Sequence, residues 1–544
     1  MSAAEAAAQA EATPVAAAAS EMTHREVLEA LSGLLLAMFV AILSSTVVSA
    51  ALPKIIADIG GGQSAYTWVV TATLLTMTIS TPIWGKLADL FSRKQLLQLG
   101  ILIFIAGSML AGFATTSVWL IGCRAIQGVG AGALTALVQV ILADLISARE
   151  RGRYMGYLGA VFGVGTVAGP VIGGLLTDGL GWRWCFFVGV PFALAALIVL
   201  QRTLHLPHHK RHDVHVDTVG AVLIALGVGL ILVWISLAGK DFDWLSWQTA
   251  AMVIGGLVAV FAAVLVERRA PEPLIPLDLF ANRTVVLAVI ASIAVGIAMF
   301  GTTVFLTQYM QLARGYSPTE SGLLTVPMVF GLFGSSTLSG RYIAKSGRYK
   351  RIMLAGTVTM VVGMALMGLI DEHTSLVLVA AFMLVTGGGV GMLMQNLILA
   401  VQNAIAFSEI GAGSGLIAFF RSLGGAIGVS AMGAILGSKV SSSIRESLAA
   451  KGLPTSGVGS GGTIPNLSTL PGPIRAIVEH AYGTGVAEIF LIAAPIGIVA
   501  FLAVWFLREQ TLSTKSGIQI AAEQARRPNN SSQSRDPEPV TSAD

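Results

Sequence analysis

Three stretches of this chain hold residues whose types and spacing could do chemistry. The first reads Gly85-Lys-Leu-Ala-Asp89-Leu-Phe-Ser-Arg93-Lys94. Gly85 permits a tight turn between two helices, and Asp89 suits the positive N-terminus of a neighbouring helix. Arg93 can pair with a carboxylate on the same side. Together they make a latch that holds one conformation, or else a basic loop that only sets topology. The second stretch holds Arg124, Gln127, Gly128, Gly130 and Gly132. An arginine inside hydrocarbon costs at least ~2.5–3.5 kcal/mol, so it faces the protein interior and takes a partner. The third holds Gly159, Gly163, Gly165, Gly169-Pro170 and Gly173-Gly174. Glycines four apart give a smooth face for close helix packing, and a proline bends the helix.

The elements that must position these groups are membrane helices. Charged residues make up only 11% and apolar residues 54% of 544 residues, against roughly 25% charged in a soluble chain. Mean hydropathy is +0.78. A crossing helix needs about 20 apolar residues. Such runs fall at 31–53, 66–90, 96–114, 117–143, 154–178, 184–201, 216–238, 247–266, 284–312, 321–344, 350–370, 375–404, 411–437 and 487–507. The expected fold is therefore an all-α integral membrane protein with about fourteen spans.

Loop charges orient it. Arg93, Lys94, Arg149, Arg151, Arg153, Lys210, Arg211, Arg268, Arg269, Lys345, Arg348, Lys350 and Arg351 fall in one set of loops. The alternate short loops hold only Arg183, Lys240 and Arg314. The positive-inside rule then puts both termini in the cytoplasm of a multi-pass cell-membrane protein. The N-terminus is not a secretory signal, because its small residues precede the apolar run. Cys123 and Cys185 sit in apolar runs and imply no disulfide or metal site.

A faint repeat divides the chain. Gly85 and Arg93 in the first loop match Gly340 and Arg348 in another, with the same separation. The expected units are a cytoplasmic tail, 1–28; a six-helix half, 29–203; an inserted two-helix linker, 204–283; a second six-helix half, 284–507; and a disordered tail, 508–544. A long outer loop is expected at about 438–486, with its Gly/Ser/Pro-rich centre irregular. Two parallel repeats about an axis along the membrane normal are a transporter architecture.

In this order the motifs resemble the major facilitator superfamily. They are Gly-x-Leu-Ala-Asp-x-x-x-Arg-Lys after span two, Arg-x-x-Gln-Gly-x-Gly in span four and Gly-x-x-x-Gly-Pro-x-x-Gly-Gly in span five. The fourteen-span layout is similar to the EmrB/QacA-type drug/proton antiporters. So are Trp182-Arg183-Trp184-Cys-Phe186-Phe187, Gly315-Tyr-Ser-Pro318 and Arg421-Ser-Leu-Gly424-Gly425. The resemblance covers about 28–510. It implies alternating access, proton coupling, Asp89 on a helix terminus and Arg93 paired with Asp144.

One departure matters. The family's span-one pattern, Leu-Asp-x-Thr-Val-Val-Asn, is Leu43-Ser44-Ser45-Thr46-Val47-Val48-Ser49 here. Counted at ~1.5 Å per residue, Ser44 and Arg124 both lie roughly 10 Å from the outer surface. The family's carboxylate could neutralise that arginine, and Ser44 cannot. Asp89 and Asp144 lie at the inner ends of their spans, Asp178 and Glu320 at outer ends. Asp178 and Glu320 are the remaining candidates for proton binding, and Arg421 is a second buried charge.

Cavity candidates are Ser44, Ser45, Ser49, Gln127, Gln139, Gln308, Gln311, Gln395, Asn396 and Asn403, with Trp68, Phe300, Phe305 and Tyr309 for apolar contact. Eighteen methionines suit adaptable surfaces. Such a cavity, without fixed acids, fits neutral or amphipathic compounds better than dications. No nucleotide-binding glycine loop is present, so ATP is not the direct energy source. The sequence thus points to a monomeric, cofactor-free, proton-coupled exporter of small organic compounds such as antibiotics, not an enzyme and not a nucleic-acid binder. Export of a lipid, a metabolite or a self-made natural product is the alternative, and a non-transporting membrane sensor is a third reading.

Overall fold

The computed structural model describes residues 24–59, 63–146, 148–204, 217–238, 242–270, 273, 276–316, 318–406, 409–451 and 471–512. The first half comprises α1 (His24–Asp58), α2 (Gln63–Leu90), α3 (Arg93–Gly112), α4 (Ser117–Leu145), α5 (Ala148–Gly179), the single turn α6 (Trp184–Phe187) and α7 (Gly189–Thr203). The inserted pair is α8 (Thr218–Leu237) and α9 (Trp247–Glu267). Then come α10 (Arg283–Gln308), a π-helical turn (Tyr309–Ala313), α11 (Pro318–Leu324), α12 (Val326–Ser346), α13 (Lys350–Met367), α14 (Leu376–Ala404), α15 (Ile410–Ala450) and α16 (Gly472–Phe506). Among the described residues there is no β-strand, only an isolated bridge between Ala238 and Phe242.

Helix starts follow capping chemistry. Asp217 accepts from Gly220 N at 2.7 Å, Ser246 from Thr249 N at 3.3 Å and Asn282 from Thr284 N at 2.9 Å. Each such cap is worth ~1 kcal/mol. Every predicted span falls on helix, with 184–201 divided between α6 and α7 and 321–344 between α11 and α12. Eleven stretches are long and apolar enough to cross a membrane by themselves, and α5 and α8 hold shorter apolar runs, Gly163–Thr177 and Val219–Ile235. Leu102, Val222, Phe261, Leu338 and Trp505 point outward from the bundle. That is the surface lipid tails require, since tails are as apolar as the core.

The first half packs around Leu97, Ile101, Leu134 and Ile141 at one end and around Leu43, Val47, Ile55 and Phe186 at the other. The second packs around Val295, Met360, Leu393 and Phe490. The inserted pair touches both halves. Ile224, Val228 and Leu232 of α8 cluster with Leu75 and Ile79 of α2 and with Phe419 and Phe420 of α15.

The long outer loop needs correction. α15 continues to Ala450 and α16 starts at Gly472, so helix replaces much of 438–486, and 452–470 lies outside the described residues. The reason is a helical stripe beyond the predicted spans. Val440, Ile444 and Leu448 bury in one core with Ile477, Val478 and Ala481, and Lys439 bridges Glu488 at 2.7 Å. Of the expected terminal tails, 1–28 and 508–544, residues 24–28 already belong to α1 and 508–512 lie against the bundle, with Leu512 buried and Gln510 N donating to the Tyr349 hydroxyl at 3.2 Å; 1–23 and 513–544 fall outside the described residues.

Candidate functional site

The latch residues meet across the two halves. α2 and α15 approach so closely that a methyl on Gly85 would stand 2.6 Å from the Gly411 carbonyl oxygen. Only glycine fits there. The close contact puts Asp89 at the first turn of α15, where its carboxylate oxygens accept from Gly411 N at 3.0 Å and Ala412 N at 2.9 Å. A carboxylate on exposed helix-end N–H groups is favoured by hydrogen bonding and by the helix dipole. Arg93 donates through Nε to the Ala88 carbonyl at 2.9 Å, pairs directly with Asp144 of α4 and stands 3.7 Å from Asp89. A single guanidinium therefore serves both acids.

The second site lies deeper. Arg124 is 4% exposed and its Nη1 donates to the Gln127 side-chain oxygen. Gln127 Nε2 in turn donates to Ser44 Oγ at 2.9 Å and Ser108 Oγ at 2.6 Å. Thr73 Oγ1 donates to the Arg124 carbonyl at 3.2 Å. The network thus joins α1, α2, α3 and α4 through neutral groups. Arg124 Nε is buried without a hydrogen-bond partner, and no carboxylate among the described residues pairs with this arginine. Arg421, expected to be a second buried charge, is only partly buried, and its Nη1 reaches only the Met394 carbonyl, at 3.5 Å.

The glycine-rich α5 lies between the halves. Gly163 faces Phe333 and Val329 of α12, where an added methyl would come within 3.0–3.1 Å. Gly165 faces Ile42 of α1, and its carbonyl accepts from Thr46 Oγ1 at 3.0 Å. Gly169 packs on Thr46. The Gly173 carbonyl accepts from Thr177, and Gly174 is partly buried. Gly159 and Pro170 belong to α5, but their surroundings fall outside the described residues.

The other predicted residues scatter. Ser44 is buried in the arginine network, while Ser45, one residue on, is exposed; the Ser49 side chain is outside the described set. Tyr309 is fully buried, and its hydroxyl donates to the Asp371 carbonyl at 2.6 Å. It anchors the α13–α14 turn instead of opening onto a cavity. Gln308 and Gln311 flank it, partly buried. Asn396 bonds back to the Met392 carbonyl at 2.7 Å, and Gln395 keeps a buried side-chain oxygen without a partner. Glu320 is exposed on α11, and the Asp178 side chain is outside the described set. Ser108 and the Gly411–Ala412 turn were not foreseen. The small residues Gly411, Gly413 and Gly415 were the available signal for the second.

A family model described as the Major Facilitator Superfamily matches residues 34–429. The multidrug transporter protein MdtP of Bacillus subtilis is 35% identical over 409 residues, 75% of each chain. Multidrug resistance protein 3 of the same organism is 30% identical over 492 residues, covering 89% of this chain and 95% of its own. An uncharacterised MFS-type transporter of Mycobacterium tuberculosis is 35% identical over 482 residues, 89% of this chain and 69% of its own. Among solved structures, the proton:xylose symporter XylE superposes with a TM-score of 0.57 at 15% identity, covering 92% of this chain and 100% of its own. The human organic anion transporter MFSD10 does so with 0.54 at 13% identity, covering 87% and 99%. At those identities the likeness is one of fold.

Proposed function

The chain belongs to the Major Facilitator Superfamily, a transporter and not an enzyme, and from that premise we propose that it expels small hydrophobic or amphipathic organic compounds by proton-coupled antiport. The observation that carries the reading is the Asp89 bridge. It ties α2 of one half to the start of α15 in the other through two backbone N–H groups, with Arg93 and Asp144 behind it. Such a contact exists in only one of two rocking states, which is what alternating access needs. The α5 helix, glycine-faced towards both α1 and α12, provides the smooth surface on which the halves move. The positive-inside rule supports a cytoplasmic Asp89 end and cytoplasmic termini, and on that reading the latched state is the one closed to the cytoplasm.

The relatives named as a multidrug transporter and a multidrug resistance protein support efflux of this kind. Work comes from the electrochemical gradient: one charge moving through ~100 mV gains about 2.3 kcal/mol, and a proton gradient adds to it. The chain works as a monomer on this reading, with no cofactor beyond the coupling proton. The test is dye efflux in everted vesicles. Hoechst 33342 and the anionic dye fluorescein should move only while the proton gradient stands. Transport that persists after its collapse would sink the antiport mechanism, and Glu320→Gln or Asp178→Asn variants with unchanged transport would remove those two acids as proton carriers.

A further inference from the structure

Arg124 and Arg421 are two positive charges within the apolar bundle, and among the described residues neither pairs with a carboxylate. They share a depth. The Gly85–Gly411 contact, followed by Pro82 against Gly415, sets α2 and α15 antiparallel and in register. Moving ten residues from that contact along each helix, about 15 Å, brings Arg421 level with Leu75. Thr73 bonds the Arg124 carbonyl directly. The two arginines therefore leave their helices within about one turn of the same level.

The surroundings of Arg124 offer donors and, among the described residues, no acid. Ser44 and Ser108 take Gln127's amide protons, which leaves each hydroxyl hydrogen to be given elsewhere. Arg124 Nε has no partner. A buried charge without a counter-charge is costly, and such residues mark binding paths. Ser44 stands where a carboxylate would have neutralised it.

We propose that this site takes organic anions: an apolar body carrying one carboxylate or sulfonate, which Arg124 meets as counter-charge, with Ser44 and Ser108 as neutral donors and Arg421 adding positive potential at that depth. The inference rests on the efflux reading above and narrows its substrate class. Sealed in the latched state, the arginine is loaded in the unlatched one. An anionic substrate also changes the energetics. An interior-negative potential drives it outward, about fiftyfold per ~100 mV, without a carboxylate at the midplane.

The test uses one apolar body in three charge states: 1-naphthoate, 1-naphthamide and 1-naphthylmethylammonium. Binding to the purified full-length protein is read by thermal stabilisation in detergent, and transport by proteoliposome efflux under an imposed potassium diffusion potential. The expected result is at least about tenfold tighter binding of naphthoate than of either analogue. Arg124→Gln should erase the preference and Arg124→Lys should keep part of it. Ser44→Asp, which supplies the missing acid, should turn the preference towards the ammonium, and it serves as well if Arg124→Gln fails to fold. Equal binding of the three, no binding of any, displacement of naphthoate by equimolar chloride, or a preference that survives Arg124→Gln overturns the proposal. Efflux of Hoechst 33342 without any anion preference removes this inference and leaves the efflux reading intact. An anion preference in binding with no transport of any compound does the reverse.

Discussion

Arg93 and Arg124 are the same residue type on adjacent helices of one half, and they are treated in opposite ways. Arg93 sits between two carboxylates, Asp89 and Asp144, and its Nε bonds a backbone carbonyl. Arg124 lies deeper, among serines and a glutamine, with Nε unmet. The first arginine is satisfied within the protein, so its chemistry is used up in holding a conformation. The second is left with positive charge to spare. On the reading proposed above, the difference separates a part that moves the transporter from a part that meets its cargo.

The sharpest way to test this contrast is to remove the satisfied charge. Arg93→Met strands Asp144 and Asp89 in a buried environment, and breaking one partner of a buried pair costs ~3–5 kcal/mol. The Tm of the detergent-solubilised protein should fall strongly. A double-mutant cycle with Asp144→Asn should show coupling, because the second change relieves the acid that the first one stranded. Additive losses would mean that the pair is not a unit.

Asp89→Asn comes next. It keeps the shape, but the amide has one acceptor oxygen for the two N–H groups that Asp89 serves, Gly411 N and Ala412 N, so one charge-assisted bond becomes neutral and the other is lost, at about 1–3 kcal/mol. Its main effect is on conformation. A cysteine placed at Ala88, buried in the latched state, should react faster with a maleimide in the Asp89→Asn background. An unchanged labelling rate would show that the bridge does not set the balance of states.

Much of this end was legible in the sequence. Charged residues in apolar surroundings need partners, so Asp89, Arg93 and Asp144 declare themselves, and so does Arg124. What receives Asp89 does not. A helix N-terminus presents backbone N–H groups, which no side chain advertises, and only the small residues at Gly411, Gly413 and Gly415 hint at close approach. Ser108 is hidden for a different reason. A serine on an apolar helix looks like any small packing residue until the fold sets α3 against α4. The extended ends of α15 and α16 are masked by polar residues such as Lys439, Ser441 and Glu479. Their apolar stripe is readable only when two helices are considered together. Apolar almost all round, α8 signals burial or lipid contact, but its sequence does not say that it spans α2 and α15.

Within the deeper network, Gln127→Leu should cost ~1–3 kcal/mol. It removes the acceptor of Arg124 and the donor to Ser44 and Ser108, and buried groups left unmet carry their desolvation penalty. The readout is again Tm. A loss as large as that of Arg93→Met would place the structural weight of this half on Gln127 and blur the division between the two sites.

The smallest stability effect is expected where the functional effect is large. Arg124→Met exchanges a poorly satisfied buried guanidinium for an apolar chain of similar length. The desolvation cost of the charge, which its few partners compensate only weakly, disappears, so the change gains stability, as apolar replacements of buried charges often do. Against this, the Gln127 side-chain oxygen loses its donor, at ~1–3 kcal/mol. The two terms are of similar size and opposite sign, so Tm should stay close to that of the parent while transport falls. Stability and activity would then part company at Arg124 and fall together at Arg93. If Arg124→Met instead unfolds the protein as readily as Arg93→Met, this arginine is a structural strut like the other, and its missing carboxylate has no bearing on what the transporter carries.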